Sequence, residues 1–219
     1  TSYIAIEPTI YVRDIDRDVR AARRARSSSS PELITVLLGE LGEDVARVEA
    51  YLNAITTLKS RFVQRASTGN LASGTVYLSR PGKMRFEYDP PAQILLVADG
   101  LFLIYVDKDL EQISHVPISS TPLSILVEAG VKLEATHDVA FVERVPGTLA
   151  ITLTMKDDLE AGAIRLLFAD APLALKQWYI RDAQGIEIRV SLLDIERGMM
   201  LEPALFQIDP EMFASSDKN

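Results

Sequence analysis

Residues 80–112 read RPGKMRFEYDPPAQILLVADGLFLIYVDKDLEQ, and this stretch decides the fold class of the chain. It begins at an Arg-Pro pair, and Pro90-Pro91 ends its first strand. Asp99-Gly100 then separates the apolar runs 94–97 and 101–106, and this dipeptide favours a tight two-residue hairpin. The stretch therefore predicts an antiparallel meander.

The segment 83–88 shows which face of this meander is buried. Apolar and charged side chains alternate along it, and a half-buried strand requires this period of two. The pattern permits only one orientation or its one-residue slip. We expect the apolar set to point inward and the charged set to face solvent: Met84, Phe86 and Tyr88 in the first, Lys83, Arg85 and Glu87 in the second.

Apolar segments separated by turn residues continue this pattern along the chain. Their even spacing predicts about eleven strands and no interdomain linker. The predicted strands are 74–79, 83–88, 94–98, 101–107, 111–116, 132–136, 141–145, 149–155, 163–168, 173–181 and 187–194. This number suits a barrel-like antiparallel sheet.

Three helices are predicted beside the strands. Ser30-Pro31 is a favourable helix start, and the apolar stripe that follows reaches Gly42. A second helix, 43–59, has apolar residues at spacings of three and four and should lie on the sheet. A short third helix is expected at 122–129, with a Thr cap before it and a proline as its first residue. The first stripe consists of Leu33, Ile34, Leu37, Leu38 and Leu41.

Composition limits the classes of function. The chain has 219 residues, 47% of them hydrophobic, but no apolar run near the ~18 residues that would cross a bilayer. A net charge of -8 argues against nucleic acid as a partner, because phosphates repel such a surface. The chain has no cysteine, which excludes disulfides, thiolate metal sites and a cysteine nucleophile.

The first 30 residues differ in character from the rest. Six arginines between 13 and 26 are interleaved with three aspartates, which weaken any attraction to an anionic membrane, and a serine run follows. We predict a flexible, solvated extension at 1–30 and a single domain at 31–219. The start at Thr1, without a leader pattern, is typical of a processed or truncated chain.

Several short motifs follow one another in a characteristic order: Phe62-Val63-Gln64, Gly74, Arg80-Pro81, Phe86-Glu87-Tyr88-Asp89-Pro90, Ala98-Asp99-Gly100, Tyr105, Glu111-Gln112, Thr121-Pro122-Leu123 and Glu202-Pro203-Ala204-Leu205-Phe206. This order resembles that of the periplasmic outer-membrane lipoprotein carrier family (LolA-like). The specificity lies in the order, since each motif alone is common. The resemblance covers about residues 43–213 and leaves out 1–42.

The resemblance implies a mainly β fold with covering helices, an incomplete antiparallel β-barrel around an apolar cavity. It implies a periplasmic carrier that binds the acyl chains of lipoproteins and transfers them toward the outer membrane. The implied partners are an inner-membrane ATP-driven lipoprotein release complex and an outer-membrane receptor lipoprotein. The alternatives are a related open barrel that senses or carries another lipid, or the outer-membrane acceptor itself.

Large apolar side chains of the strands are the candidates for the cavity lining. By themselves they fit an ordinary packed core. A curled sheet of about eleven strands under only three helices, together with the resemblance, favours a cavity. The predicted lining is Phe62, Val76, Leu78, Met84, Phe86, Tyr88, Leu96, Leu103, Ile125, Leu153, Leu167 and Trp178.

Arg80, in the Arg-Pro motif, has two interpretations. It either ends a strand and points to water, or it has the role that the resemblance implies, hydrogen bonding to the helical lid over the cavity. Five donors on a planar guanidinium suit the capture of carbonyls at a helix end.

The sequence lacks a pattern for catalysis or metal binding. His115 and His137, the two histidines, have no nucleophile or second ligand at usable spacing, and we expect surface positions for both. Asp107, Asp109 and Glu111 resemble a calcium loop, but the required glycine and final glutamate are missing, so we interpret them as acids that keep a strand edge soluble. We expect no enzyme activity, metal or cofactor. An enzyme on a β-scaffold, the alternative class, would need an acid and a base clustered in a polar pocket.

Overall fold

The computed structural model describes residues 31–156, 162–181 and 186–208, with residues 31–40 described by their backbone. The extension 1–30, which we predicted to be a flexible arm, lies outside the described residues. The same is true of the stripe side chains Leu33, Ile34, Leu37 and Leu38.

One long helix precedes an eleven-stranded sheet. The helix is α1 (Pro31–Asn53). The strands are β1 (Thr57–Ala66), β2 (Leu71–Ser79), β3 (Lys83–Tyr88), β4 (Ile94–Asp99), β5 (Phe102–Asp107), β6 (Gln112–Pro117), β7 (His137–Val145), β8 (Thr148–Met155), β9 (Ala163–Ala169), β10 (Ala174–Arg181) and β11 (Glu187–Arg197). Short helices α2 (Ser124–Val127) and α3 (Leu133–Thr136) lie between β6 and β7, and 3-10 turns span Ile118–Ser120 and Pro203–Phe206.

The sheet is antiparallel and open. Its spatial order is β6-β5-β4-β3-β2-β1-β11-β10-β9-β8-β7, so two meanders meet where β1 pairs with β11. Strands β6 and β7 are its edges. The prediction of an incomplete antiparallel barrel with about eleven strands is therefore confirmed.

A contact between two rings shows how strongly the sheet curls. Phe86 on β3 and Trp178 on β10 have ring centroids 6.2 Å apart. These strands are four steps apart in the sheet order, which would separate them by roughly 19 Å in a flat sheet at ~4.8 Å per step. The rings can meet only because the sheet wraps around its apolar inner face.

The predicted number of strands is right, but two of the assignments were wrong. We predicted helix up to residue 59 because Ile55 and Leu58 continue the helical spacing, yet α1 ends at Asn53 and β1 begins at Thr57. The neighbouring threonines at 56 and 57 are β-branched and favour extended backbone, a signal that the spacing masked. In contrast, the predicted strand 132–136 is the short helix α3.

The helix boundaries also differ from the prediction. We expected one helix to end at Gly42 and another to follow, but α1 runs through Gly42 without a break. A glycine inside a helix costs about 1 kcal/mol, which the packing of the helix can outweigh. Val48 and Leu52 of α1 are fully buried in the main core, so α1 lies on the sheet as predicted. The predicted helix 122–129 is shorter, Ser124–Val127.

Strand β3 has the predicted orientation. Met84 and Phe86 are buried and Tyr88 is half-buried against the same core, while the alternating charged residues lie on the other face. Arg85 does not face open solvent as expected. Its side chain is 13% exposed, and Nη1 donates to the carbonyl oxygen of Leu205, because the C-terminal turn packs on the outer face of the sheet.

Aspartate side chains accept hydrogen bonds from backbone amides in the turns of the two hairpins of residues 94–117. Asp99 Oδ1 accepts hydrogen bonds from the amides of Leu101 and Phe102, at 2.8 and 2.9 Å. The two residues between the strands are Gly100 and Leu101, one position after the predicted Asp99-Gly100. Asp107 Oδ1 accepts from the amides of Asp109 and Leu110, both at 3.0 Å. The first acid of the calcium-like pattern is therefore a turn cap.

Gly74 lies on β2 at a position where the neighbouring strands leave no room for a side chain. It pairs with Phe62 on one side and Tyr88 on the other. A Cβ at this position would lie 2.1 Å from the carbonyl oxygen of Glu87 and 2.7 Å from Phe62 Cε1. The Phe62 ring occupies the space above the glycine, and any larger residue must displace it.

We expect Gly74→Ala to lower the free energy of unfolding by about 1 to 3 kcal/mol, the usual cost of overpacking a core. Gly42→Ala is the matched control, because a Cβ there has nothing within 4 Å and alanine favours helix. It should raise stability by up to about 1 kcal/mol. Urea unfolding followed by circular dichroism measures both. A Gly74→Ala protein as stable as the unmodified chain would contradict the close approach.

Candidate functional site

The inner face of the sheet and the helices share one continuous apolar core. Most of the predicted lining residues belong to it. Tyr88, Leu96 and Leu103 are partly buried against it. The fully buried members are Phe62, Val76, Leu78, Met84, Phe86, Ile125, Leu153 and Trp178.

Leu167 was wrongly assigned to this set. It is buried, but the strand register pairs it with Gln177 and Ala150, whereas its neighbour Leu166 pairs with Trp178. Leu166 is the residue that joins the main core. Strand β9 is buried on both faces, but the period of two places Arg165 on the same face as Leu167 and opposite Leu166, a signal that our prediction missed.

Four aromatic rings meet at the centre of the core. Phe62 makes edge-on contacts with Phe86 and Tyr88, each at 5.2 Å between centroids, and Phe86 makes another with Trp178. The Tyr88 hydroxyl donates to Gln64 Oε1 at 2.7 Å. Burial raises the pKa of Tyr88 to about 12, so its phenol stays neutral.

Residues 121–136, which we call the lid segment, cover one end of this core. The segment contains α2 and α3 and the chain between them. Its apolar side chains pack in the core against the sheet. Those that are buried are Leu123, Ile125, Leu126, Val127, Val131 and Leu133.

A small cavity of about 20 Å³ remains between the lid segment, α1 and the sheet. Leu52, Met84, Leu126 and Trp178 are among its lining residues. This volume is about that of one water molecule, whereas ligand sites are typically ~300–1,000 Å³. The described residues are therefore closely packed beneath the lid segment at this point, and the space between them is far smaller than a ligand site.

A larger hollow, about 350 Å³, lies outside the core. It forms where the ladder between β10 and β11 stops at Gln177 and Ser191. Its lining is polar in large part and carries both signs of charge, which makes it unsuitable for an apolar chain. The charged and aromatic members are Tyr51, Lys176, Asp194 and Arg197.

Arg80 joins the sheet to the lid segment. Its Nε donates to the carbonyl oxygen of Leu126 at 2.9 Å, and its Nη2 donates to that of Ile125 at 3.3 Å. The amide of Gly82 donates to the carbonyl of Val127 at 2.8 Å and continues this row of contacts. Burial lowers the pKa of Arg80 to about 10, partly opposed by the charge of Glu128, so the guanidinium remains charged at neutral pH. Arg80 thus contacts the lid as the resemblance implied.

Two side chains of α1 hold the other end of the lid segment. The Asn53 amide bonds both backbone groups of Val131, donating to its carbonyl at 3.0 Å and accepting from its N–H at 2.7 Å. Glu49 Oε1 accepts from the amide of Leu133 at 2.8 Å. The sequence pattern did not predict either contact, because a polar residue near a helix end does not reveal which distant backbone it bonds.

Glu128 and His137 lie at the base of the lid segment. The Thr136 hydroxyl is 3.2 Å from Glu128 Oε1 and 2.8 Å from His137 Nδ1. Burial raises the pKa of Glu128 and lowers the pKa of His137. His137 is buried, contrary to the surface position we predicted, whereas His115 is exposed on β6 as expected. Among the described residues, no cluster of three or more acidic or histidine side chains could hold a metal ion.

These features define a protein with an open antiparallel sheet and a long helix on its inner face. A lid segment, held by polar contacts, covers its apolar interior. The family model of the outer membrane lipoprotein carrier protein LolA matches residues 53–209. The chain belongs to this family. Within the described ranges, no helix is long and apolar enough to span a membrane.

Two relatives and one solved structure are similar to this chain. The outer-membrane lipoprotein carrier protein of Nitrosomonas europaea is 29% identical over 179 residues, which cover 76% of this chain and 84% of the relative. That of Ralstonia nicotianae is 26% identical over 213 residues, covering 85% and 94%. A crystal structure of a LolA superfamily protein from Nitrosomonas europaea superposes with a TM-score of 0.46 at 9% identity, covering 75% of this chain and 96% of that one.

We expect Arg80→Leu to loosen the lid segment without unfolding the protein. Hydrogen bonds from a charged donor contribute ~1.5–3 kcal/mol, so amide hydrogen exchange at 124–133 should accelerate by roughly ten- to a hundredfold. Exchange measured by mass spectrometry would show it. Arg85→Leu is the matched control, because Arg85 bonds Leu205 on the outer face and should leave exchange in the lid segment unchanged. Equal exchange in the two variants would contradict the fastening role.

Proposed function

We propose that this protein is a periplasmic carrier that binds the acyl chains of lipoproteins beneath the lid segment and transfers them toward the outer membrane. The observation that carries the proposal is the combination of an apolar interior and a lid whose own side chains fill it. Family membership supports the lipoprotein cargo, because the relatives bear the name of outer-membrane lipoprotein carriers. No catalytic group is part of the proposed site.

In this proposal, bound acyl chains take the place of the lid side chains in the interior. Ile125, Leu126 and Val127 are at most 3% exposed and occupy the space that an acyl chain would enter. Moving the lid segment aside exposes them, and an entering chain covers the inner face in their place. One apolar group is exchanged for another, and the sheet itself need not rearrange.

This exchange sets the strength with which the carrier holds its cargo. Leaving a lipid with three long chains in water would cost on the order of 30 kcal/mol. This figure is an upper bound and assumes ~0.8 kcal/mol for each methylene that binding would bury. Exposing each large lid side chain costs about 1.5–3 kcal/mol, which is subtracted from the gain on binding. The cargo is therefore protected from water but bound less tightly than in a permanently open cavity, and an acceptor with higher affinity can receive it.

The polar contacts of the lid segment give the closed state its defined geometry. We propose that Arg80 is the switch, because its bonds to Ile125 and Leu126 can form only when the lid is closed. Closing would then help to expel the cargo. An inner-membrane ATP-driven lipoprotein release complex would load the carrier, and an outer-membrane receptor lipoprotein would accept the chains.

We expect Ile125→Ala to bind a fluorescent long-chain fatty acid more tightly than the unmodified protein, by roughly tenfold or more. Truncating a buried Ile costs the closed state ~2–5 kcal/mol, and the open state bears little of this cost. Titration should give saturable binding with a stoichiometry near one. Leu95→Ala removes a side chain of similar size from the separate outer-face cluster and should leave the affinity unchanged. Tighter binding in both variants would indicate that any loss of core packing raises the affinity. The proposed displacement of the lid side chains by an acyl chain would then be wrong.

The decisive test of function is transfer of a native lipoprotein. Arg80→Leu should accept cargo but pass it slowly to vesicles that bear the receptor lipoprotein, because closure no longer assists release. Arg85→Leu should transfer at the rate of the unmodified protein. Mass spectrometry of the protein purified from its native envelope should find lipoprotein bound to Arg80→Leu. Transfer by Arg80→Leu as fast as by the unmodified chain would reject the switch, and the absence of any bound lipid or lipoprotein would reject the carrier function.

A further inference from the structure

Two of the residues that line the small cavity beneath the lid each carry a buried polar atom in an apolar setting. Trp178 Nε1 and Arg80 Nη1 are both buried, and neither has a hydrogen-bond partner among the residues that the structure describes. Both residues line the cavity of about 20 Å³. All its other lining residues are apolar: Leu52, Ile55, Leu58, Val76, Leu78, Met84, Leu126, Leu175 and Leu192.

Two unpaired donors at one cavity are unusual for a packed interior. About 90% or more of buried polar groups in proteins have a partner, because a buried donor without an acceptor is costly. An indole N–H and a guanidinium N–H can only donate, so each needs an acceptor that the lining does not offer. A cargo of pure hydrocarbon would leave both of them unpaired.

The two donors come from parts of the sheet that lie three steps apart in the strand order, and Arg80 also reaches the lid segment. Trp178 is on β10, where it contacts Phe86 across the curl of the sheet. Arg80 follows β2, and its other two nitrogens hold the carbonyls of the lid segment. A group that bonds both donors must therefore lie between the sheet and the lid.

We infer that Trp178 Nε1 and Arg80 Nη1 form a polar anchor for the ester or amide carbonyl oxygens at the head of bound acyl chains. The inference rests on the proposed function and adds a chemical requirement to it: the cargo presents carbonyl acceptors beside its hydrocarbon. The nearby charge of Glu128 offsets that of Arg80, which favours a neutral carbonyl over a carboxylate.

A pair of lipids that differ only in the carbonyl groups tests this anchor. Dioleoylglycerol has two ester carbonyls, and its diether analogue, dioleyl glycerol ether, has the same chains without them. Competition against a fluorescent fatty acid measures both affinities on the full chain. We expect the unmodified protein to prefer the diester by roughly tenfold or more, because a site with buried donors discriminates against a ligand that leaves them unpaired.

Trp178→Phe keeps an aromatic ring and removes the donor. It should reduce the diester preference to within a factor of about three. Tyr179→Phe is the matched control, because Tyr179 is the next residue on β10, belongs to a separate cluster from the main core and bonds Gln177. It should keep the full preference.

A second measurement needs no variant. Trp178 is the single tryptophan of the chain, so ¹H–¹⁵N spectra contain one indole N–H resonance. The diester should move this resonance downfield and the diether should not, and this result would support the anchor even if Trp178→Phe did not fold. Equal affinities, or equal movement of the indole resonance by both lipids, would overturn the anchor and leave the carrier function standing. Failure of both lipids to bind saturably would contradict the carrier function and the anchor together.

Discussion

The structure depends on one constraint: an open sheet must cover the apolar inner face that it creates. The edge strands β6 and β7 do not close a barrel, so the sheet buries this face by curling until residues such as Phe86 and Trp178 meet. Helix α1 and the lid segment cover what remains. The lid segment depends on the sheet for its structure. Its helices α2 and α3 have four residues each and could not be stable alone.

Two kinds of interaction hold the lid segment, and they have different roles. Apolar burial of its side chains provides most of the stability, but it is not directional and an acyl chain can replace it. The polar contacts from Arg80, Asn53 and Glu49 are directional and exist only in the closed geometry. A lid built in this way can close to a single position, and cargo of similar chemistry can still displace it.

Local sequence predicted those parts of the site that lie on one strand or in one turn. Alternation in 83–88 located Met84 and Phe86 on the inner face, and Asp99-Gly100 located a hairpin, because both depend on neighbours along the chain. On β9, Arg165 lies on the face of Leu167, and strand register shows directly that Leu166 faces the core. That register is a tertiary property, and two adjacent leucines do not encode it by themselves.

The sequence by itself determined an antiparallel sheet of about eleven strands, the inner face of β3 and the family to which the chain is similar. Only the tertiary structure decided that residues 57–59 are strand and 133–136 are helix, since both segments have spacings that fit either structure. It also decided that side chains of the lid segment join the core and that Arg80 and Trp178 line one cavity. These features join residues about 100 positions apart, and a contact of this kind depends on the curl of the whole sheet, which no local pattern specifies.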